Sequence, residues 1–300
     1  MKSFTIAFAV LLSTLALPAR AELEIFACEP EWAALATELG GNLVSAESAT
    51  TPQQDPHYIQ ARPSLIAKMR RAALVICTGA DLEVGWLPLL LRQAGNAAVQ
   101  PGQPGSMTAA DYVDMLDKPA SVDRSLGDIH PYGNPHIQTD PRNIGKVAAA
   151  LAERLATLDS ANAAAYRARF QDFDTRWRAA VERWSAAVAP LKGKQIVTHH
   201  KGWVYLETWV GLTEVGNLEA KPGLPPSAAH LADLLDLLKG KPVAAIVRSV
   251  YEDVKASEWL AGRTSIPAIV LPHTVGSVPG ADDLFGMFDV TVKTLVEAQQ

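Results

Sequence analysis

The sequence contains little cysteine, few aromatic residues and no cluster of basic residues. Only two of its 300 residues are cysteines, Cys28 and Cys77, which are too few for a disulfide framework or a Cys-rich zinc module. The 32 acidic residues outnumber the 27 basic ones, and no Lys/Arg block stands out, so we expect no nucleic-acid partner. With 48% hydrophobic and 20% charged residues, the composition excludes a chain that is disordered over its whole length. The length suggests two domains.

Long apolar runs are also absent, apart from one at the N-terminus. Residues 6–17 are mostly apolar, Lys2 gives a positive start, and Ala19-Arg20-Ala21 fits a small-x-small cleavage site. The run is too short for a membrane span of about 20 residues, so we interpret residues 1–21 as a secretory signal peptide rather than an N-terminal anchor. No cysteine follows the run at the cleavage point, which argues against a lipoprotein anchor. We therefore expect export of a soluble mature protein that starts at Glu22.

Strand patterns alternate with helical patterns in two blocks of the chain. Such alternation is typical of parallel sheets covered by helices, whereas residues 101–135 show little periodicity and are interpreted mainly as loop. The predicted fold class is α/β, with two lobes, each built on a central mostly parallel sheet flanked by helices, and one long rigid helix joining them. The predicted ranges are 22–158 for the N-terminal lobe, 159–190 for the linking helix and 191–300 for the C-terminal lobe.

The linking helix carries the clearest pattern in the chain. Its apolar residues follow steps of three and four: Tyr166, Phe170, Phe173, Trp177, Val181, Trp184 and Val188. A helix over residues 160–189 would be about 45 Å long at 1.5 Å per residue, and Pro190 and Gly193 would end it. We expect such a helix to limit how far the lobes can swing.

The two cysteines each lie near the end of a predicted strand of the N-terminal lobe. If those strands are neighbours, Cys28 and Cys77 are close enough for a disulfide in an oxidising compartment. Two buried thiols fit the sequence equally well.

Four of the seven histidines lie in loops or directly after a predicted strand: His57, His136, His200 and His273. In open α/β sheets, ligands bind beyond the carboxyl ends of the strands, so residues far apart in sequence can meet there. Imidazole is a preferred ligand of Zn²⁺. A single loop histidine is usually a solvated side chain, but four in such positions favour a metal site. The spacing matches no compact zinc motif, and His199 is an alternative ligand beside His200.

Several motifs identify a resemblance that covers essentially the whole mature chain. They are Asp55-Pro56-His57, Asn134-Pro135-His136 leading into Asp140-Pro141, and His200-Lys201-Gly202-Trp203-Val204-Tyr205. These motifs resemble the cluster A-I metal-binding proteins of bacterial ABC importers, the periplasmic solute-binding proteins for zinc and manganese. The resemblance implies a metal ion held between two lobes.

By this resemblance, the first three ligands are His57, His136 and His200. Manganese-selective members tend to have a carboxylate at the third place, so His200 favours zinc. His273 occupies the place where the family commonly has an aspartate, and it is the expected fourth ligand. Asp282, Asp283 or a water molecule are the alternatives. The family's His-rich loop is absent or vestigial, since only His130 precedes His136 in that region.

The resemblance predicts a periplasmic, high-affinity zinc-binding protein that delivers Zn²⁺ to an ABC transporter permease. A periplasmic metallochaperone is a further expected partner, and we expect a monomer. We expect no enzymatic activity, since no His-Glu-x-x-His motif is present. Three alternatives stay open: a manganese or iron binder on the same fold, a zinc hydrolase, and an adhesin.

Overall fold

The fold consists of two parallel sheets of four strands each. The computed structural model describes residues 22–121, 123 and 127–299, and the predicted signal peptide lies outside the described residues. The strand orders are β2-β1-β3-β4 and β6-β5-β7-β8, and every pairing is parallel. The strands are β1 (Leu23–Ala27), β2 (Val44–Ser48), β3 (Leu74–Cys77), β4 (Ser106–Thr108), β5 (Gln195–Thr198), β6 (Thr213–Asn217), β7 (Val243–Arg248) and β8 (Ala268–Val270). The predicted α/β class is confirmed.

Nine α-helices connect and cover the strands in the described part of the chain. They are α1 (Pro30–Gly40), α2 (Pro63–Arg71), α3 (Leu87–Ala94), α4 (Pro141–Leu158), α5 (Ala163–Val188), α6 (Val204–Val210), α7 (Ala228–Leu237), α8 (Val254–Ala261) and α9 (Leu284–Glu297). Three of them begin with proline, whose missing N–H costs nothing in the first turn. Asp140 caps α4 by accepting a hydrogen bond from the Arg142 backbone N–H at 2.8 Å. None of these helices is long and apolar enough to cross a membrane.

Two predicted elements differ from the structure. Strand β4 lies within residues 101–135, which were predicted mainly as loop; it has only three residues, of which Met107 alone is buried, so no alternation is visible. The linking helix α5 has 26 residues rather than the 30 predicted, because 3₁₀ turns precede and follow it (Ser160–Asn162 and Ala189–Leu191).

The lobes are joined by packed aromatic rings from α5 and α9. We call this group the aromatic joint: Phe173, Trp177, Trp184, Phe285 and Phe288. The Trp177 ring centre lies 5.2 Å from those of Phe173 and Trp184, 4.9 Å from Phe285 and 5.6 Å from Phe288. Buried residues of both sheets and of α5 and α9 form one hydrophobic cluster. The joint therefore fixes one lobe against the other through apolar packing.

A disulfide joins Cys28 to Cys77, just after β1 and at the end of β3. Both residues are buried. Of the two alternatives that the sequence left open, the structure has the disulfide.

Candidate metal centre

Three of the predicted ligands lie together between the two sheets. The ring centres of His57, His136 and His200 are 5.4–5.6 Å apart in every pairing. One ligand nitrogen from each ring lies within 4.8 Å of the other two. Two of these residues come from the first half of the chain and the third follows β5, so the group draws on both lobes. The arrangement can place three imidazole nitrogens around one cation.

The Asx-Pro-His motifs position the first two rings through the same local turn. The Asp55 carboxylate accepts a hydrogen bond from the His57 backbone N–H at 3.0 Å. The Asn134 side-chain oxygen accepts one from the His136 backbone N–H, also at 3.0 Å. Asp and Asn favour such turns because their short side chains reach the backbone two residues further on. The residue before each proline thus determines where the following histidine lies.

Carboxylates orient two of the three rings. His57 Nδ1 lies 2.7 Å from Asp55 Oδ1, and His200 Nδ1 lies 2.8 Å from Glu219 Oε2. When Nδ1 donates its proton to the carboxylate, Nε2 presents its lone pair, and metal-binding histidines are usually oriented by such a hydrogen bond. Glu219 takes this role for His200, and Asp55 takes it for His57. Sequence reasoning did not identify Asp55 for this role, although its position two residues before His57 in the first motif could have indicated it.

His136 is buried, and no carboxylate of the described residues orients its ring. Its Nε2 is buried with no hydrogen-bond partner among the described residues. Burial lowers the pKa of His136 well below the ordinary value, and the neighbouring histidines lower it further. An unpartnered buried nitrogen costs free energy, and a cation in the centre of the three rings would satisfy it.

The other two rings have different electrostatic surroundings. Burial lowers the pKa of His200, but the hydrogen bond and the charge of Glu219 outweigh burial, so this pKa is raised. Burial raises the pKa of Asp55, but its hydrogen bond and charge interaction with His57 reverse this, so the net pKa is lowered. Burial also raises the pKa of the nearby Glu252, to about 7. The centre therefore combines three imidazoles with the neighbouring carboxylates Asp55, Glu219 and Glu252.

The structure does not bring His273 into this group. Its ring packs edge-on against Tyr251, with centres 4.6 Å apart, and its Nδ1 is buried without a hydrogen-bond partner among the described residues. Asp283 instead caps α9 by accepting from the Gly286 N–H at 2.7 Å, and Asp282 beside it is exposed. His199, the alternative to His200, is buried and also outside the group.

A different histidine, His130, lies next to His57. His130 Nε2 is 3.3 Å from His57 Nε2, and the two ring centres are 5.3 Å apart. Burial, together with the charges of His57 and His200, lowers the pKa of His130 to about 4. Sequence reasoning did not place His130 beside His57, since a lone loop histidine carries no local signal of what it contacts.

Comparisons with known proteins agree on one family. The sequence profile of a family described as "ZnuA: Zinc-uptake complex component A periplasmic" matches residues 25–298. The high-affinity zinc uptake system protein ZnuA of Paracoccus denitrificans is 25% identical, with 92% of each chain covered. The zinc-binding lipoprotein AdcA of Streptococcus pneumoniae is 25% identical over 76% of this chain and 44% of that protein.

Solved structures show the same fold. A crystal structure of ZnuA superposes with a TM-score of 0.78 at 20% identity, covering 93% of this chain and all of that one. A mutant structure of the laminin-binding adhesin Lmb of Streptococcus agalactiae gives a TM-score of 0.74 at 17% identity, with 93% and 100% coverage. At these identities, the likeness concerns the fold alone.

Proposed function

The chain belongs to the ZnuA family of periplasmic zinc-uptake components, and we propose that it captures Zn²⁺ between its lobes and delivers it to an ABC transporter permease. The single observation that carries this proposal is the triangle of His57, His136 and His200, with one nitrogen from each ring within 4.8 Å of the others. Zinc prefers such nitrogen ligands, at about 2.0–2.1 Å. The ion is the cargo of the protein.

Zinc suits the donor set better than manganese does. Imidazole is a borderline ligand that favours zinc, whereas manganese prefers carboxylate and carbonyl oxygens. In this proposal, Asp55 and Glu219 bind the outer nitrogens of two ligand rings instead of the ion itself. Their two negative charges balance the charge of the ion without replacing a nitrogen donor.

Two histidines are candidates for the fourth ligand. Two ligands of a tetrahedral zinc ion are about 3.3 Å apart when each Zn–N bond is about 2.05 Å. The Nε2 atoms of His57 and His130 are already 3.3 Å apart, so His130 is our choice. It lies outside the group of nitrogens within 4.8 Å of one another, so binding requires its ring to move toward His136 and His200. His273 stays a prediction from the family resemblance, and binding by His273 would require its ring to leave Tyr251.

Delivery fits the site better than catalysis does. A zinc ion with four protein ligands has no open position for a substrate or a reactive water. We therefore propose a solute-binding role without enzymatic activity, in a monomer that meets the permease and receives zinc from a periplasmic metallochaperone. Unchanged zinc uptake in cells lacking this chain would contradict the transport role.

Chelator-competition titrations of the purified mature protein test the binding role. We expect one zinc per chain. Replacing His57, His136 or His200 by alanine should weaken zinc binding at least on the order of 100-fold, since each ligand supplies about 3 kcal/mol of the total. His230→Ala is the matched control, because His230 Nε2 bonds the Asn217 carbonyl oxygen at 2.9 Å, outside the group. Manganese binding as tight as zinc binding, or a His200→Ala variant with unchanged zinc affinity, would refute the proposal.

A further inference from the structure

One short segment crosses from the N-terminal lobe to the C-terminal lobe beside the candidate metal centre. We call residues Gly127 to His130 the strap. The Asp128 backbone N–H donates a hydrogen bond to the Pro222 carbonyl oxygen at 2.9 Å. The Asp128 carboxylate accepts a hydrogen bond from the Tyr58 hydroxyl. Asp128 thus connects the turn that follows His57 to the C-terminal lobe.

Two glycines make this crossing close. Gly127 has φ +95°, and a Cβ there would lie 2.4 Å from the Pro222 carbonyl oxygen. Gly223 has φ +77°, and a Cβ there would lie 2.3 Å from Asp128 Oδ2 and 3.1 Å from the Tyr58 hydroxyl oxygen. Since real Cβ atoms do not approach other atoms this closely, a side chain at either position would push the strap away from the C-terminal lobe.

Contacts continue from the strap to candidate ligands on both sides. At one end, His130 Nε2 lies 3.3 Å from His57 Nε2. At the other, the Gly223 N–H donates to Glu219 Oε2 at 2.9 Å, and the same oxygen binds His200 Nδ1 at 2.8 Å. The position of the strap is therefore coupled to a ligand of each lobe.

Open space lies on both sides of the strap. A cavity of about 300 Å³ on one side is lined by His130 and His136, and a second cavity of about 300 Å³ is lined by Asp55 and Glu219. Asp128 and His200 line both cavities. The strap therefore lies between two open spaces, and it can shift into either of them without disturbing the packed core.

We propose that Asp128 is a positioning residue: through the strap it holds His130 against the bound ion and sets the rate at which the ion leaves. This inference rests on the proposed function and concerns the kinetics of release. Because the strap touches both lobes, displacing it from the C-terminal lobe is the step that removes the fourth ligand and opens the site.

The test measures zinc release from the full mature protein by stopped-flow transfer to a chelator. Gly127→Ala and Gly223→Ala should release zinc about tenfold faster, the equivalent of losing one net hydrogen bond. Gly102→Ala and Gly240→Ala are matched controls, because these glycines also have positive φ (+85° and +73°) but nothing within 4 Å of an added Cβ. The controls should release zinc within about twofold of the wild type.

Substitutions of Asp128 and His130 provide an independent readout. Asp128→Ala should match Gly223→Ala, whereas Asp128→Asn keeps an acceptor for the Tyr58 hydroxyl and should restore most of the slow release. If the strap acts through His130, the double variant Gly223→Ala/His130→Ala should release zinc no faster than His130→Ala alone.

The possible failures are distinguishable. A wild-type protein that binds no zinc would refute the proposed function itself. A wild-type protein that holds zinc through His136, with Gly127→Ala and Gly223→Ala releasing it at the rate of their controls, would refute the strap inference and leave the proposed function intact. Additive effects of Gly223→Ala and His130→Ala would also overturn it.

Discussion

The aromatic joint and the metal cleft connect the same two lobes by opposite means. At the joint, Trp177 is buried among four other rings, and its only polar atom donates to the Pro141 carbonyl oxygen at 2.8 Å. In the cleft, His136 Nε2 is buried without a partner in the described chain, and desolvation raises the pKa of the half-buried Glu252 to about 7. Apolar packing keeps the lobes together whether or not a cation is present, whereas in our proposal a cation completes the cleft.

The comparison of the joint with the cleft indicates which part of the protein can move. The rings pack closely at the joint, with centres 4.9–5.6 Å from that of Trp177, as side chains in dense protein cores do. The cleft is bordered by two cavities of about 300 Å³, which leave space for its turns to shift. We therefore expect metal capture to order loops around the cleft rather than to swing the lobes widely.

The largest effect we expect is at the joint. Trp177→Ala should lower the free energy of unfolding by about 3–5 kcal/mol, because it removes the central ring and leaves a cavity. Zinc affinity of the folded variant should change little, since Trp177 contacts no ligand. Urea unfolding and zinc titration measure the two quantities separately. Trp259→Ala, on α8 and only partly buried, is the control. A Trp177→Ala variant that loses zinc affinity but not stability would contradict the separation between a structural joint and a metal-binding cleft.

The next effect is the pH dependence of the cleft. Zinc binds neutral imidazole, so protons compete for the ligands. Since the pKa of His200 is raised, affinity should start to fall above the ordinary value of about 6.5 and drop roughly tenfold per pH unit below the raised pKa. His136, with a lowered pKa, is already neutral and adds nothing there. Chelator competition between pH 8 and 5.5 measures the curve, and a flat curve would exclude His200 as a ligand.

A smaller effect distinguishes ligands from the groups that orient them. Glu219→Gln keeps a hydrogen-bond acceptor for His200 but removes the charge, so zinc affinity at pH 8 should fall about 10–100-fold. The onset of the pH-dependent loss should move to lower pH, because the negative charge of Glu219, one cause of the raised His200 pKa, is gone. Glu182→Gln, exposed on α5, is the charge-matched control. An equal loss in both variants would mean that Glu219 acts only through general charge.

Much of this division could be predicted from the sequence. The three- and four-residue steps of Tyr166, Phe173 and Trp177 predicted α5 because a long amphipathic helix has a strong period. The resemblance, now confirmed at the level of the family, grouped His57 with His136 and His200 across more than 140 residues of chain. The two Asx-Pro-His turns are local, so their geometry follows from residues that are adjacent in sequence.

The remaining features depend on contacts between distant residues. Nothing near His130 in the sequence indicates that Asp128 binds Pro222 in the other lobe. Nothing near His273 indicates that Tyr251 covers its ring. Strand β4 was missed because three residues are too few to show alternation. The boundaries of the lobes stay predictions.

Anomalous diffraction at the zinc edge, from crystals of the mature protein grown with one equivalent of zinc, tests the central claim most directly. We expect a single peak with Nε2 atoms of His57, His136 and His200 at about 2.0–2.1 Å. The same map identifies His130 or His273 as the fourth ligand. A peak outside this triangle, or a zinc ion bound by histidines of one lobe only, would contradict the account.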